Sequence, residues 1–194
     1  NKVTDAAGEA VSLNGVWRVD SKTGSFSFEE STGSFVGFRV KEELAKIGAT
    51  TAVGRTDQVT GELSIDGSEI QTVSISADLS SIVTNDSRRD SAARYALNVK
   101  QNPTATFNLT QPLELPQIDG SKVSVRAEGQ LTVNAITRDV NVDLDAQLVD
   151  NTIVVVGSTK VTFSDYDVTA PSAAIVLSVD DHGVVEFQLL FSRK

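Results

Sequence analysis

The stretch VSVRAEGQLTVNAITRDVNVDLDAQL, residues 123–148, decides the class of fold. Val123, Val125, Ala127, Leu131 and Val133 share odd positions; then Val140, Val142, Leu144, Ala146 and Leu148 take even ones against Asn141, Asp143, Asp145 and Gln147. A period of two sends alternate side chains to opposite faces of a strand, so this region reads as half-buried β-structure with one apolar face.

Working outward, the same pattern recurs in GVWRVD from Gly15, SFSFEE from Ser25, SFVGFRV from Ser34, VTGELSI from Val59, TVSISADL from Thr72 and TATFNL from Thr104. It returns in IVVVGSTKV from Ile153, AAIVLSV from Ala173 and VVEFQLLF from Val184. So many strands without amphipathic helices between them predict an antiparallel sandwich or barrel. Asp66-Gly67, Asp119-Gly120, Val149-Asp150-Asn151 and Asp180-Asp181-His182-Gly183 supply hairpin turns, which predicts a mostly sequential strand order. Two segments break the period: KEELAK, 41–46, and DSRRDSAARYALN, 86–98, the latter preceded by Thr84 and Asn85 as caps and followed by Pro103. They are expected to be one short and one moderate helix. Residues 1–13 lack periodicity and are expected to be a flexible tail, with 14–194 a single domain.

Charge and composition exclude several functions. With 26 acidic and 17 basic residues the net charge is −9, which repels phosphate backbones, so no nucleic-acid partner is expected. The absence of cysteine removes disulfides, thiolate metal sites and cysteine nucleophiles. The single histidine, His182, sits in a turn-like DDHG stretch with no shielded partner to make it a base, and no GxSxG elbow occurs. Asp143 with Asp145, and Asp165 with Asp167, have spacing for one strand face, yet no EF-hand pattern is present. No P-loop or GxGxxG precedes a helix. The expectation is therefore no catalytic residue, no metal and no cofactor. An enzyme is a further reading, and it lacks a base. The chain opens at Asn1 and contains no methionine, which is read as a sign of export through a missing N-terminal signal or anchor; such an anchor would bring membrane proximity.

Two clusters attract attention. Arg88, Arg89, Asp90 and Arg94 stand out in an acidic chain: on a helix Asp90 and Arg94 pair as i, i+4 neighbours, leaving Arg89 for a strand carboxylate or an external anion. Phe38, Phe107, Phe163 and other aromatics fall in expected strands, where most aromatics are core. A barrel of about eight strands is either filled by side chains or holds one small apolar ligand. Inward positions here are mostly Val, Ile, Ala and Leu, so an apolar cavity opening beneath the helix is expected.

The block SSIVTNDSRRDSAARYALNVKQNPTATFNLT, 80–110, resembles the signature of the YceI-like family: a Ser-Ile and a Thr, an Arg-Asp pair, a short helix and a Pro-Thr-Ala-x-Phe strand start. The resemblance extends through GQLTVNAITRDVNVDL from Gly129, VTFSDYDVTAP from Val161, an opening W-x-V-D at Trp17–Asp20 and a closing E-F-x-L at Glu186–Leu189. It implies a lipocalin-like antiparallel β-barrel with a helical cover, whose interior in some members holds a polyisoprenoid chain, in exported proteins of the bacterial periplasm or cell surface. It further implies a non-enzymatic carrier of an isoprenoid-like lipid, with Phe38, Tyr95, Leu97, Phe107, Phe163 and Tyr166 along the apolar tunnel. Arg89 and Asp90 correspond to the pair that docks the helix or meets a headgroup. Where many members have a histidine after the second Phe-x-Val, this chain has Lys41, followed by the insertion KEELAKIGATTAVGRT, 41–56, so Lys41 or Arg55 would take over contacts made by that histidine. The alternative is a cell-surface interaction module with a filled barrel. Oligomeric state stays open, with a dimer among the outcomes.

Overall fold

The computed structural model describes residues 2–4, 7–8, 10–116, 118–170 and 176–193. Alternation turns directly into pairing: the strands at Val123–Val133 and Ile136–Val149 form a hairpin in which Val125 faces Leu144 and Ala127 faces Val142, so the two apolar sets meet on one face. Asn134 and Ala135 make its two-residue turn, with φ of 52° and 61°. Asp150 and Asn151 make the next, with φ of 44° and 63°, the left-handed pair that matches the twist of the flanking strands.

In chain order the strands are β1 (Lys2–Thr4), β2 (Ala10–Ser12), β3 (Gly15–Val19), β4 (Phe35–Leu44), β5 (Gly48–Thr56), β6 (Val59–Asp66) and β7 (Glu69–Asp78). They continue with β8 (Val83–Thr84), β9 (Thr104–Leu109), β10 (Leu113–Glu114), β11 (Val123–Val133), β12 (Ile136–Val149), β13 (Thr152–Thr162) and β14 (Val176–Ser192), with helix α1 (Asp90–Ala96) between β8 and β9. The order β13-β12-β11-β9-β7-β6-β3-β14, with β14 pairing back to β13, closes an antiparallel barrel of eight strands. Closure leaves no edge in the ring. β14 meets β3 only at Phe191 and Ser192; from Gln188 back to Val176 it pairs with β4, and the wall runs on through β5 to β8. Residues 79–103, including α1, cover this end of the barrel. The opposite end carries the Asp66-Gly67 and Asp150-Asn151 turns and residues 113–116 and 118–121.

Four expectations are corrected. KEELAK continues β4 to Leu44 and then turns, because Val40, Glu42 and Leu44 are buried while Lys41 and Glu43 are exposed; a period of two outweighs helix propensity. Among the described residues the helix count falls to one short α-helix, Asp90–Ala96, entered through a 3₁₀ turn at Ser87–Arg89 that Asp86 caps by accepting from the Arg88 amide. DDHG is no hairpin tip: Asp180–His182 form an irregularity within one long strand, with His182 exposed opposite Thr162. SFSFEE is a loop, since Ser27 hydroxyl donates to the Glu30 carbonyl and accepts the Glu30 amide, giving the backbone local partners in place of a ladder.

The N-terminal tail also takes a different form. β1 and β2 pair through Val3 and Val11 as a separate two-stranded sheet, and both valines pack against the main core cluster of Trp17, Val59, Leu63, Ile75 and Phe191.

Candidate functional site

The inward faces of the barrel do not fill it. They line a cavity of about 160 Å³. One water occupies only about 10–15 Å³ of such space, so side chains leave free room in the interior. Val123 and Leu131, at the two ends of the lining on β11, are separated by about 26 Å of strand, or roughly 20 Å along the axis at the usual tilt. That volume spread over that length gives a narrow bore, matched to a single hydrocarbon chain.

Its chemistry is apolar. Among the described residues no charged side chain lines it, and its polar members are Thr106, Ser121, Gln147 and Thr159. Gln147 donates to the Gly120 carbonyl and Thr159 to the Asn141 carbonyl, so neither needs a ligand. Val125, Leu144, Ala146 and Phe187 face the bore yet are only half-buried, because the surface they keep is the cavity wall. Water in such a space finds few partners, and an apolar cavity of this kind takes apolar guests.

Four phenylalanines are seated on glycines of neighbouring strands. A Cβ on Gly129 would lie 2.3 Å from the Phe107 ring, one on Gly157 2.6 Å from Phe187, one on Gly183 2.3 Å from Phe163, and one on Gly54 2.5 Å from Phe38. The missing side chain lets each ring lie flat on the wall. Phe107 and Phe187 thereby line the bore without plugging it.

The covered end is fixed by polar contacts. Asp90 Oδ1 accepts from the amide and hydroxyl of Thr84, at 2.8 and 2.7 Å. Arg89 Nη2 lies 2.6 Å from Oε1 of the buried Glu42 on β4, a close charge contact, and that oxygen has no aligned hydrogen-bond donor among the described residues. The expected Asp90–Arg94 pair is not formed, because Thr84 occupies Asp90 while Arg94 donates to the Ile82 carbonyl at 2.8 Å. Asn98 and Asn102 both donate to Asn134 Oδ1, and Asn134 donates to the Tyr166 carbonyl, tying cover, hairpin and the 163–166 turn together.

Of the expected ligand residues, Phe107 lines the cavity and the other five do not. Phe38 and Phe163 lie on Gly54 and Gly183 nearer the covered end. Tyr95, 89% exposed, borders an outer groove beside Asn98 and Lys100. Leu97 packs under the cover with Leu79, Val99 and Val133. Tyr166, 4% exposed, closes the covered end with Leu131 and Val161, and burial raises its phenol above the ordinary value. Beneath the helix the lining reaches Ala105 and Leu131, which belong to these two clusters, and it runs to Leu13, Leu115 and Ile118 at the other end.

Arg55 and Lys41 are not in the bore either. Val36 lines it, so Gly37 and its cross-strand partners Arg55 and Glu186 face outward; there Arg55 Nε donates to Glu186 at 2.8 Å and its guanidinium stacks 4.3 Å from the Phe35 centroid. Lys41 is exposed. The strand phase already marked Val125, Leu144 and Phe187 as inward, and reading phase rather than aromatic character would have nominated them. Leu13 had no signal, since its partners come from distant strands.

The YceI-like domain family matches residues 17–191. UPF0312 proteins of Pseudomonas aeruginosa are 29% identical over 118 residues, which is 59% of this chain; the match spans 56% of their length. Among solved structures, a polyisoprenoid binding domain from Saccharophagus degradans, implicated in plant cell wall breakdown, superposes with a TM-score of 0.62 at 17% identity, covering 83% of this chain and 94% of that one. BcnA of Burkholderia cenocepacia gives 0.59 at 16% identity over 80% and 95%. The YCEI protein of Campylobacter jejuni gives 0.56 at 19% identity over 73% and 84%. At such identities the likeness establishes the fold.

Proposed function

The chain belongs to the YceI-like domain family, and we propose that it is a non-enzymatic carrier that binds, moves or sequesters an isoprenoid-like lipid in the barrel of an exported protein. The observation that carries this reading is the apolar bore of about 160 Å³, long and one chain wide. A prenyl chain gains about 0.8 kcal/mol for each CH₂ group taken from water, so a row of isoprene units binds there without any polar contact. The Saccharophagus degradans neighbour, a polyisoprenoid binding domain on the same fold, supports the choice of chain over other apolar guests.

With no charged group in the lining, the headgroup contributes little: prenol, isoprenoid quinone and prenyl phosphate of equal chain length are expected to bind alike. Native mass spectrometry of freshly purified protein, followed by mass analysis of its organic extract, tests the reading. One prenyl lipid per chain is the expected result. A protein that carries none and takes up none of farnesol, geranylgeraniol or solanesol overturns it.

A further inference from the structure

Two pieces form the outer rim of the covered end. β13 leaves β14 at the Thr162–His182 pair, whereas β4 and β14 stay paired on to Leu44 and Val176, so the β4–β5 ribbon continues past Val40 for about 13 Å of strand. The ribbon turn is closed by the Ile47 amide on the Leu44 carbonyl at 3.2 Å, with Lys46 at φ 69°. Helix α1 is tied to the ribbon by the 2.6 Å contact of Arg89 with Glu42, so turn and helix share one rim.

That rim gathers the apolar exposure of the chain. Among the described residues the three most exposed large apolar side chains are Tyr95 on α1 at 89%, Ile47 in the ribbon turn at 72%, and Leu177 at 65%, which follows the Val176–Leu44 pair on β14. Turns select Gly, Asn, Asp, Ser and Pro for their geometry, so an isoleucine there serves something other than the turn. The charge of these segments is the reverse of the chain's. Residues 39–56 and 79–103 carry eight basic and four acidic side chains in a molecule of net charge −9. Their arginines are engaged within the fold: Arg39 and Arg55 with Glu186, Arg88 with Asp86, Arg89 with Glu42 and Arg94 with the Ile82 carbonyl. Their lysines, Lys41, Lys46 and Lys100, are exposed. β14 adds Asp180 and Asp181 near Val40, the second held by Ser164. The basic ground is therefore the ribbon turn and the helix, where Lys46 adjoins Ile47 and Lys100 borders the same groove as Tyr95.

We propose that this rim docks the protein on an anionic phospholipid membrane, with Ile47 and Tyr95 entering the headgroup region and Lys46 and Lys100 meeting lipid phosphates. Separate apolar tips flanked by lysines suit a fluid bilayer surface, which closes around each tip and attracts basic side chains. A protein partner is a poorer fit, because such interfaces are apolar at their core and poor in lysine. Tyrosine, with an apolar ring and a polar tip, is a side chain that settles at the membrane–water boundary. Docking goes beyond the carrier reading and is independent of what the bore holds.

The test is co-sedimentation of the full chain with vesicles of equimolar phosphatidylcholine and phosphatidylglycerol, and with phosphatidylcholine alone. Binding is expected on the anionic vesicles, weaker at high salt and much weaker on phosphatidylcholine. Lys46→Gln with Lys100→Gln is expected to bind about fivefold less tightly for each lysine lost. Ile47→Ser with Tyr95→Ser is expected to bind about tenfold less tightly. All four positions are exposed, so thermal unfolding of both variants is expected to match the unaltered chain. An unaltered chain that stays in solution beside anionic vesicles, or variants that bind as well as it does, overturns the proposal. So does a concentration-dependent dimer in sedimentation velocity that Ile47→Ser dissolves, which would give the rim to a second copy. A chain that retains prenols yet ignores vesicles overturns docking alone; one that sediments with vesicles yet retains no prenol overturns the lipid reading alone.

Discussion

Tyr166 carries its hydroxyl into the covered end of the barrel with no hydrogen-bond partner among the described residues. A buried hydroxyl left unbonded costs about 1–3 kcal/mol, so Tyr166→Phe is expected to stabilise the fold by about 1 kcal/mol in urea denaturation; a loss of stability would mean that the hydroxyl is satisfied. Gly129 works in the other direction. Its added Cβ would meet the Phe107 ring at 2.3 Å and the Asn108 carbonyl oxygen at 2.7 Å, and the second of these is backbone that cannot swing aside. Gly129→Ala is expected to cost about 1–3 kcal/mol in the same measurement. These pairs also explain the misplaced ligand residues. Aromatic character marked Phe38, Phe107 and Phe163 alike, but which of them reaches the bore depends on how far along the barrel its glycine partner lies, and register is fixed by pairing between distant strands.

The cover depends on one buried carboxylate. Glu42 and Arg89 are 2.6 Å apart, and removing the arginine leaves the carboxylate buried without a counter-charge. Arg89→Ala is expected to lose about 3 kcal/mol or more, whereas Arg89→Leu with Glu42→Leu recovers most of it, as measured by thermal unfolding. A headgroup role for Arg89 would instead leave stability intact and weaken prenyl phosphate relative to prenol. The 3₁₀ turn leading into α1 adds a pH dependence. Asp86 is held at about 2, below the usual 3.8, first by the hydrogen bonds from Arg88. A depressed carboxyl stabilises fully above its unfolded value and loses that contribution as pH falls through the folded one. Helical circular dichroism of the cover is therefore expected to decline between about pH 4 and about pH 2, and Asp86→Asn to remove that transition. The strands were legible from alternation, including β11, β12 and β13. KEELAK carried a strand phase and a helix composition at once, and what decided it, the pairing of Glu42 with an arginine on another element, is invisible along the chain.

At the scale of the whole molecule, closure and hollowness have one origin. Eight strands make a barrel just wide enough for side chains to fill, and this chain lines it with Val, Ala, Leu and glycine-seated rings, which leaves the bore. The sequence announced the small liners, but not that they stop short of filling the axis, because that follows from shear and stagger. A single enlargement should therefore separate binding from folding. Ala146 stands toward the end of the wall opposite the helix, between Val123 and Val155, and faces the cavity. In Ala146→Phe the ring enters existing space rather than packed core, so stability is expected to stay level or rise, unlike the usual penalty for overpacking. Added prenol binds only the folded state, and at a hundredfold excess over Kd it stabilises by about 2.7 kcal/mol. Thermal unfolding with geranylgeraniol is expected to show a rise in Tm for the unaltered chain and almost none for Ala146→Phe. An equal rise in both would place the ligand outside the bore.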